Sequence, residues 1–212
     1  MTALLLPRSS HRKATRPALP FLGDLELPLA RVHEACGPSR RYLASLIAAR
    51  LSGPIFWIAP AWQIDRLNPT ALIQTTDPGR LVFVEPDRRD DLLWCMEESL
   101  RDGHVPLVVA DLPAPPGLTS VRRLHLAAET GASVAGTWPL GLLLTPGEGG
   151  AQGIETRWHM SPRHAAYAKH AWRLDRRRAR TAPLKSWQVH QEVTGFRLEP
   201  WKEPSAATAE AS

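Results

Sequence analysis

Short, near-continuous apolar runs bounded by Gly, Pro or charge alternate along this chain with longer stretches whose apolar residues recur every three or four positions. The first pattern is that of strands buried on both faces, the second that of amphipathic helices. "LELPLARVHEAC" (25–36) closes in a strand-like run before a Gly-Pro turn. "SRRYLASLIAARL" (39–51) then spaces Tyr42, Leu43, Leu46 and Ile47 as a helix, with Ser39 placed to cap it. "GPIFWIAP" (53–60), "GRLVFVEP" (79–86) and "VPLVVADL" (105–112) predict three buried strands, and "LGLLLTPGEGG" (140–150) a fourth that runs into a glycine-rich loop. "RRDDLLWCMEESLRDG" (88–103) carries acids in its first turn, Leu92, Leu93, Met96 and Leu100 on one face, and Gly103 at its end. "GLTSVRRLHLAAETGA" (117–132) predicts a helix opened by Thr119 or Ser120 and closed by Gly131. Strands alternating with helices of this length predict βαβ units and a parallel sheet.

The pattern changes after residue 150. "IETRWHM" (154–160) alternates, and "AWRLDRRRARTAPLKSWQVH" (171–190) predicts two exposed strands around "RTAPLKS". Trp172, Leu174 and Arg176 face one way there; Arg173, Asp175 and Arg177 face the other. The expected class is therefore α/β: a mostly parallel sheet flanked by helices, with a C-terminal antiparallel basic hairpin. Residues 1–24 read as a disordered basic arm, 25–200 as one domain and 201–212 as a disordered polar tail.

A chain of 212 residues with 43% hydrophobic content can bury the core of one such domain. No apolar run approaches the length of a membrane span. The opening "MTALLLPRSSHRK" places its apolar residues before its basic ones, the reverse of a secretory signal, so a cytoplasmic protein is expected. Cys36 and Cys95 form neither a disulfide framework nor a metal-ligand spacing, and the eight histidines show no zinc-type pairing. The net charge of +5 is uneven, because residues 157–202 hold eleven Lys/Arg against three Asp/Glu. Such a patch suits nucleic acid or an acidic protein surface, or serves only as a solvated face.

"EACGPSRRYLASLIAAR" (34–50) has the strand–turn–helix layout of a phosphate-cradling loop. Gly37 and Pro38 are present, but Ser39, Arg40 and Arg41 lead straight into the helix. The second glycine, the lysine and the magnesium-binding hydroxyl of such loops are missing. Asp111 closes an apolar strand. Phosphoryl transfer depends on those parts acting together, so their loss predicts a degenerate nucleotide site, no catalysis and no cofactor.

The element order resembles the RecA ATPase core, and the chain is similar to the ImuA family, in the short form found in alphaproteobacteria. The segments that carry the resemblance are "RVHEACGPSRRYLASLIAA", "WIAPAWQIDRLNP", "LLWCMEESLRDGHVPLVVADLPAPPGLTSVRRLHLAAE", "LGLLLTP" and "WRLDRRRARTAP". The resemblance implies a RecA-like fold in which Asp111 stands where active enzymes keep a magnesium-organising aspartate, while the strand ending in "WIAPAW" lacks their catalytic glutamate, and hence a non-catalytic adaptor in SOS-induced error-prone translesion synthesis. Its implied partners are an ImuB-like Y-family polymerase homologue, an error-prone replicative-type polymerase and RecA, with single-stranded DNA a further candidate. In RecA-type filaments the C-terminal hairpin lies at a subunit boundary, and Arg173, Arg176, Arg177, Arg178, Arg180, Lys185 and Trp187 occupy the matching region. Trp57, Trp94 and Trp172 are expected in the core, with Trp201 open. "LPAPPGLT" (112–119) is either a docking loop or a rigid connection. Two other readings remain: a SulA-type division inhibitor, and a weak RecA-like ATPase or DNA-binding protein using Arg40, Arg41 and Asp111.

Overall fold

A computed structural model describes residues 16–68, 72–163, 170–193 and 195–202. Strands β3 (Val32–Cys36), β4 (Ile55–Ile58), β5 (Leu81–Val84), β6 (Leu107–Asp111), β7 (Leu140–Thr145), β8 (Thr156–Pro162), β9 (Ala171–Ala179), β10 (Lys185–Glu192) and β11 (Gly195–Pro200) form one nine-stranded sheet. Its order is β11-β10-β9-β8-β3-β7-β6-β4-β5. From β8 to β5 every pairing is parallel, and from β8 to β11 every pairing is antiparallel. The expected class, a mostly parallel α/β sheet with antiparallel C-terminal strands, is the one observed.

The two faces of the sheet are covered differently. Helix α1 (Arg40–Ala48) and a separate hairpin, β1 (Ala18–Leu22) with β2 (Leu25–Pro28), cover one face. Leu43, Ile47, Phe21 and Leu27 pack there on Ala35, Leu142, Trp158 and Leu174. Helices α2 (Arg89–Asp102) and α3 (Leu118–Ala135) cover the other, with Leu92, Met96, Leu100 and Leu124 on Val32, Val108 and Leu143. Burying this many aliphatic side chains, each worth roughly 1.5–3 kcal/mol, is what holds both layers on the sheet.

Several expectations are corrected. The boundary drawn at residue 24 cuts through a hairpin, because Leu19, Phe21 and Leu22 are buried and Phe21 sets its ring edge-on to Trp158 at 5.2 Å. Residues 1–15 and 203–212, assigned to an arm and a tail, lie outside the described residues. β5 is not buried on both faces: it is an edge strand, with Val82 44% and Phe83 48% exposed. Trp94 is 58% exposed on the outer side of α2 rather than in the core, whereas Trp57 and Trp172 are buried as expected. The two C-terminal strands are half-buried rather than exposed, since Trp172, Leu174, Trp187 and Val189 join the core on the α1 side. Tyr42 of α1 stacks on Trp172 at 4.6 Å. A third strand, β11, extends them.

α3 runs through Gly131 to a left-handed cap at Gly136, and its N-cap is Gly117, not Thr119 or Ser120. Gly131 lies where α3 meets the C-terminal end of α2, and a methyl group there would press on the Leu100 carbonyl and on Gly103. Its role is close helix approach, for which the missing side chain is needed. Gly131→Ala is therefore expected to destabilise by about 2 kcal/mol or more, while Gly117→Ala, whose added carbon meets no neighbour, stays within about 0.5 kcal/mol. Urea denaturation of the two variants measures the difference.

Candidate functional site

Three backbone donors of the turn between β3 and α1, those of Gly37, Ser39 and Arg40, are committed within the chain. Gly37 takes a left-handed φ of 87°, and a side chain there would lie 2.6 Å from the Met160 carbonyl and 2.7 Å from His159 Nε2. Its N–H donates to the Gly147 carbonyl at 2.9 Å, and the Ser39 N–H donates to the Met160 carbonyl at 3.0 Å. Arg40 N–H turns back to the Gly37 carbonyl at 3.2 Å. These are the groups that cradle a phosphate at a helix N-terminus. Ser39 is the N-cap residue, but its hydroxyl makes no capping bond, contrary to expectation.

Asp111, at the end of β6, is 2% exposed and faces the first turn of α1. Arg41 Nε donates to its Oδ2 at 2.6 Å, and Gln63 donates to the same oxygen at 3.2 Å. The rest of the Arg41 fork holds the 61–65 segment, donating to the Asp65 carboxylate at 2.6 Å and to the Asp65 carbonyl at 2.9 Å. Arg40 Nε stands 3.8 Å from Asp111 Oδ1 and makes no hydrogen bond. Burial works against the Arg41 charge, but the attraction of Asp111 and the bonds to both carboxylates hold its pKa above the ordinary arginine value. The fold thus brings Gly37, Ser39, Arg40, Arg41 and Asp111 together, with an arginine fork on the aspartate.

A carboxylate the sequence reading did not single out organises this region. Glu34, on β3, is fully buried. Its Oε1 accepts from Thr145 Oγ1 at 2.6 Å, Gly150 N–H at 2.8 Å and Ala151 N–H at 3.1 Å; Oε2 accepts from Arg157 Nε at 2.5 Å. The visible signal was an acid inside an apolar strand, "VHEAC". Cys36, two residues on, has its thiol pushed up to about 12 by burial and by Glu34, so it is no nucleophile.

The basic hairpin residues do not form a single bare track. Arg176 lies over Trp187 at 5.2 Å and Trp158 at 5.6 Å, and Lys185 over Trp187 at 5.4 Å. Arg173 pairs with Asp175 at 2.8 Å and covers Trp201 at 4.6 Å. Arg177 bonds Glu148, and Arg180 stands 3.6 Å from Glu155. Trp187 is only 7% exposed, so it is a core anchor for Arg176 and offers no open face for stacking a base. An open cleft of about 370 Å³ is lined by Arg173, Arg176, Arg177, Leu184 and Lys185, with the Asp175 carboxylate among them. The proline loop after Asp111 walls a cavity of about 420 Å³ together with Leu93, Trp94 and Arg123. Among the described residues no His, Cys, Asp or Glu cluster fits a metal ion, and no helix is long and apolar enough to cross a membrane.

No family model matches this chain. It is 40% identical over 55 residues to two DNA ligase sequences of Methanothermobacter thermautotrophicus, a stretch that covers 25% of this chain and 10% of each ligase. The chain thus matches about a tenth of the length of those ligases. Among solved structures, SulA from Pseudomonas aeruginosa superposes with a TM-score of 0.42 at 20% identity, covering 55% of this chain and 98% of SulA.

Breaking the Arg41 fork strands the Asp111 carboxylate in the interior. Arg41→Ala is expected to cost roughly 3 kcal/mol, with Arg41→Lys recovering only part because it restores charge without the fork. Thermal unfolding of both variants measures this.

His33, fully buried on β3, sits 2.9 Å from the Pro28 carbonyl through Nε2 and 2.7 Å from Thr156 Oγ1 through Nδ1. Burial lowers its pKa from 6.5 to about 4, against the pull of the Pro28 carbonyl. The unfolded chain binds this proton at higher pH than the folded one, so the stability involved is whole above about 6.5 and is lost as pH falls toward 4. The expected loss is roughly 3 kcal/mol, and a His33→Gln variant should show a flatter stability–pH curve over that window.

Proposed function

We propose that this chain is a non-catalytic adaptor on a RecA-like core, of the ImuA type, acting in SOS-induced error-prone translesion synthesis. The observation that carries the reading is the self-occupied turn. Arg41 holds the buried Asp111 carboxylate at 2.6 Å, and the Gly37 and Ser39 amides donate to Gly147 and Met160. A triphosphate would have to displace both sets of bonds and find a lysine and a magnesium ligand that the turn lacks. What remains is a binding scaffold.

Its working surface is the cleft beside Arg173, Arg177 and Lys185, where guanidinium and ammonium groups border the exposed Leu184. Arginine beside apolar surface is the chemistry of protein interfaces. The partners of the reading are an ImuB-like Y-family polymerase homologue, an error-prone replicative-type polymerase and RecA. The 55-residue likeness to DNA ligases is compatible with a DNA-related setting.

Affinity capture of the tagged full chain from damaged host cells tests this. The expected result is recovery of a Y-family polymerase homologue, with or without RecA, and at least a severalfold lower yield for the Arg177→Glu/Lys185→Glu variant. Recovery of the division-ring protein, or of no polymerase-related protein, overturns it.

A further inference from the structure

Beside α3, on the face of the sheet opposite α1, lies a cavity of about 480 Å³ that shares no residue with the β3–α1 turn or the hairpin cleft. Leu118, Arg122 and Leu126 wall it at four-residue steps along the helix. Arg31, just before β3, and Arg178 and Arg180, at the end of β9, close the other side. Its volume falls within the roughly 300–1,000 Å³ of small-molecule sites.

Five guanidiniums gather in this cavity and its ion pairs, those of Arg16, Arg31, Arg122, Arg178 and Arg180, against the two carboxylates of Glu129 and Glu155. Both carboxylates are engaged: Glu129 by Arg16 and Arg31, and Glu155 by Arg31 at 3.4 Å and Arg180 at 3.6 Å. Three positive charges therefore have no counter-charge. Among the described residues neither Arg122 nor Arg178 forms an ion pair or a hydrogen bond. Burial lowers the His125 pKa against the pull of the Gly153 carbonyl, and the Arg180 and Arg16 charges lower it further, so that ring adds no charge. Arg178 reaches this side through an irregularity in the sheet. β9 carries one extra residue, Arg177, opposite Arg157–Trp158, so Arg178 pairs with Arg157 while Arg176 pairs with Trp158. The bulge thus sets two like charges directly across the ladder, an arrangement that is unfavourable unless each is neutralised. Arg157 is neutralised by Glu34 and also bonds the Ala151 carbonyl at 2.9 Å, whereas no described acid answers Arg178.

We propose that this cavity binds a small ligand carrying adjacent phosphoryl groups, a diphosphate or triphosphate, through Arg122, Arg178 and Arg180. A lone carboxylate brings one charge and two oxygens, while linked phosphoryl groups bring several of each, which is what three guanidinium forks around one void can use. A nucleic-acid strand would need a longer track of cations with aromatic faces between them; no Trp, Tyr or Phe lines the cavity. Recognition therefore falls on the phosphoryl groups and not on a base. The site lies apart from the Arg41–Asp111 turn, and the inference does not rest on the translesion reading.

The test is calorimetric titration of the full chain with pyrophosphate, with tripolyphosphate and with a dT oligonucleotide, at physiological ionic strength. The expected result is one saturable site that takes tripolyphosphate more tightly than pyrophosphate. Affinity for both should fall about tenfold or more in the Arg122→Gln/Arg178→Gln variant and severalfold in Arg180→Gln. The Arg88→Gln/Arg89→Gln variant removes the same charge outside the cavity and should change affinity less than about twofold, because exposed charges at a distance are screened. All five side chains are exposed, and matching circular dichroism spectra check that the variants fold. The proposal is overturned if neither phosphate saturates a site, or if the two double variants weaken binding equally, the mark of diffuse attraction. It is equally overturned if the oligonucleotide binds more tightly than tripolyphosphate and loses that affinity in the cavity variant. Failure to capture a polymerase homologue from cells leaves this result untouched, because the titration uses no such partner.

Discussion

A carboxylate buried in the middle of a nine-stranded sheet must be neutralised or it would oppose folding. Glu34 meets that requirement with an arginine, a threonine hydroxyl and two backbone amides. In doing so it joins β3, β7, the glycine-rich loop and β8, the strand at which the sheet changes from parallel to antiparallel. The loop it clamps presents the Gly147 carbonyl to Gly37, and the β8 strand it anchors through Arg157 presents the Met160 carbonyl to Ser39. The state of the β3–α1 turn is therefore a consequence of how the fold stabilises one acid.

On the opposite side of the turn the logic is similar. Asp111 ends a fully buried strand, and the sequence supplies its counter-charge from Arg41, one residue inside α1. A positive charge in the first turn of a helix opposes the helix dipole by a few tenths of a kcal/mol to about 1 kcal/mol. A buried ion pair outweighs that cost, since removing one partner leaves the other uncompensated at roughly 3–5 kcal/mol. An arginine that looks misplaced on the helix alone is well placed in the fold.

Most of the parallel half of the sheet was legible because β4, β6 and β7 are continuous apolar runs with turn residues at both ends. Periodicity does not say where a strand sits in the order, so "LVFV" read as central when it is the edge. Trp94 looked like core because of its bulk, but it falls between the buried Leu92 and Met96 on α2 and turns outward. Gly131 has the look of a helix stop and is a crossing point, a distinction that only the packed pair of helices reveals. At the candidate site the sequence named the turn, Arg41 and Asp111, yet gave no sign that the arginine and the aspartate meet. Glu34 and His33 went unremarked because the side chains they bond, Arg157, Thr145 and Thr156, lie more than a hundred residues away in the chain.

The central claim is that the β3–α1 turn is closed to nucleotide by bonds within the chain. Its most direct test is a backbone-amide NMR titration of the full chain with Mg·ATP. The account predicts that the Gly37, Ser39, Arg40 and Arg41 resonances stay in place at millimolar nucleotide. Saturable shifts confined to those residues and Asp111 would contradict it and return the turn to the class of working phosphate sites.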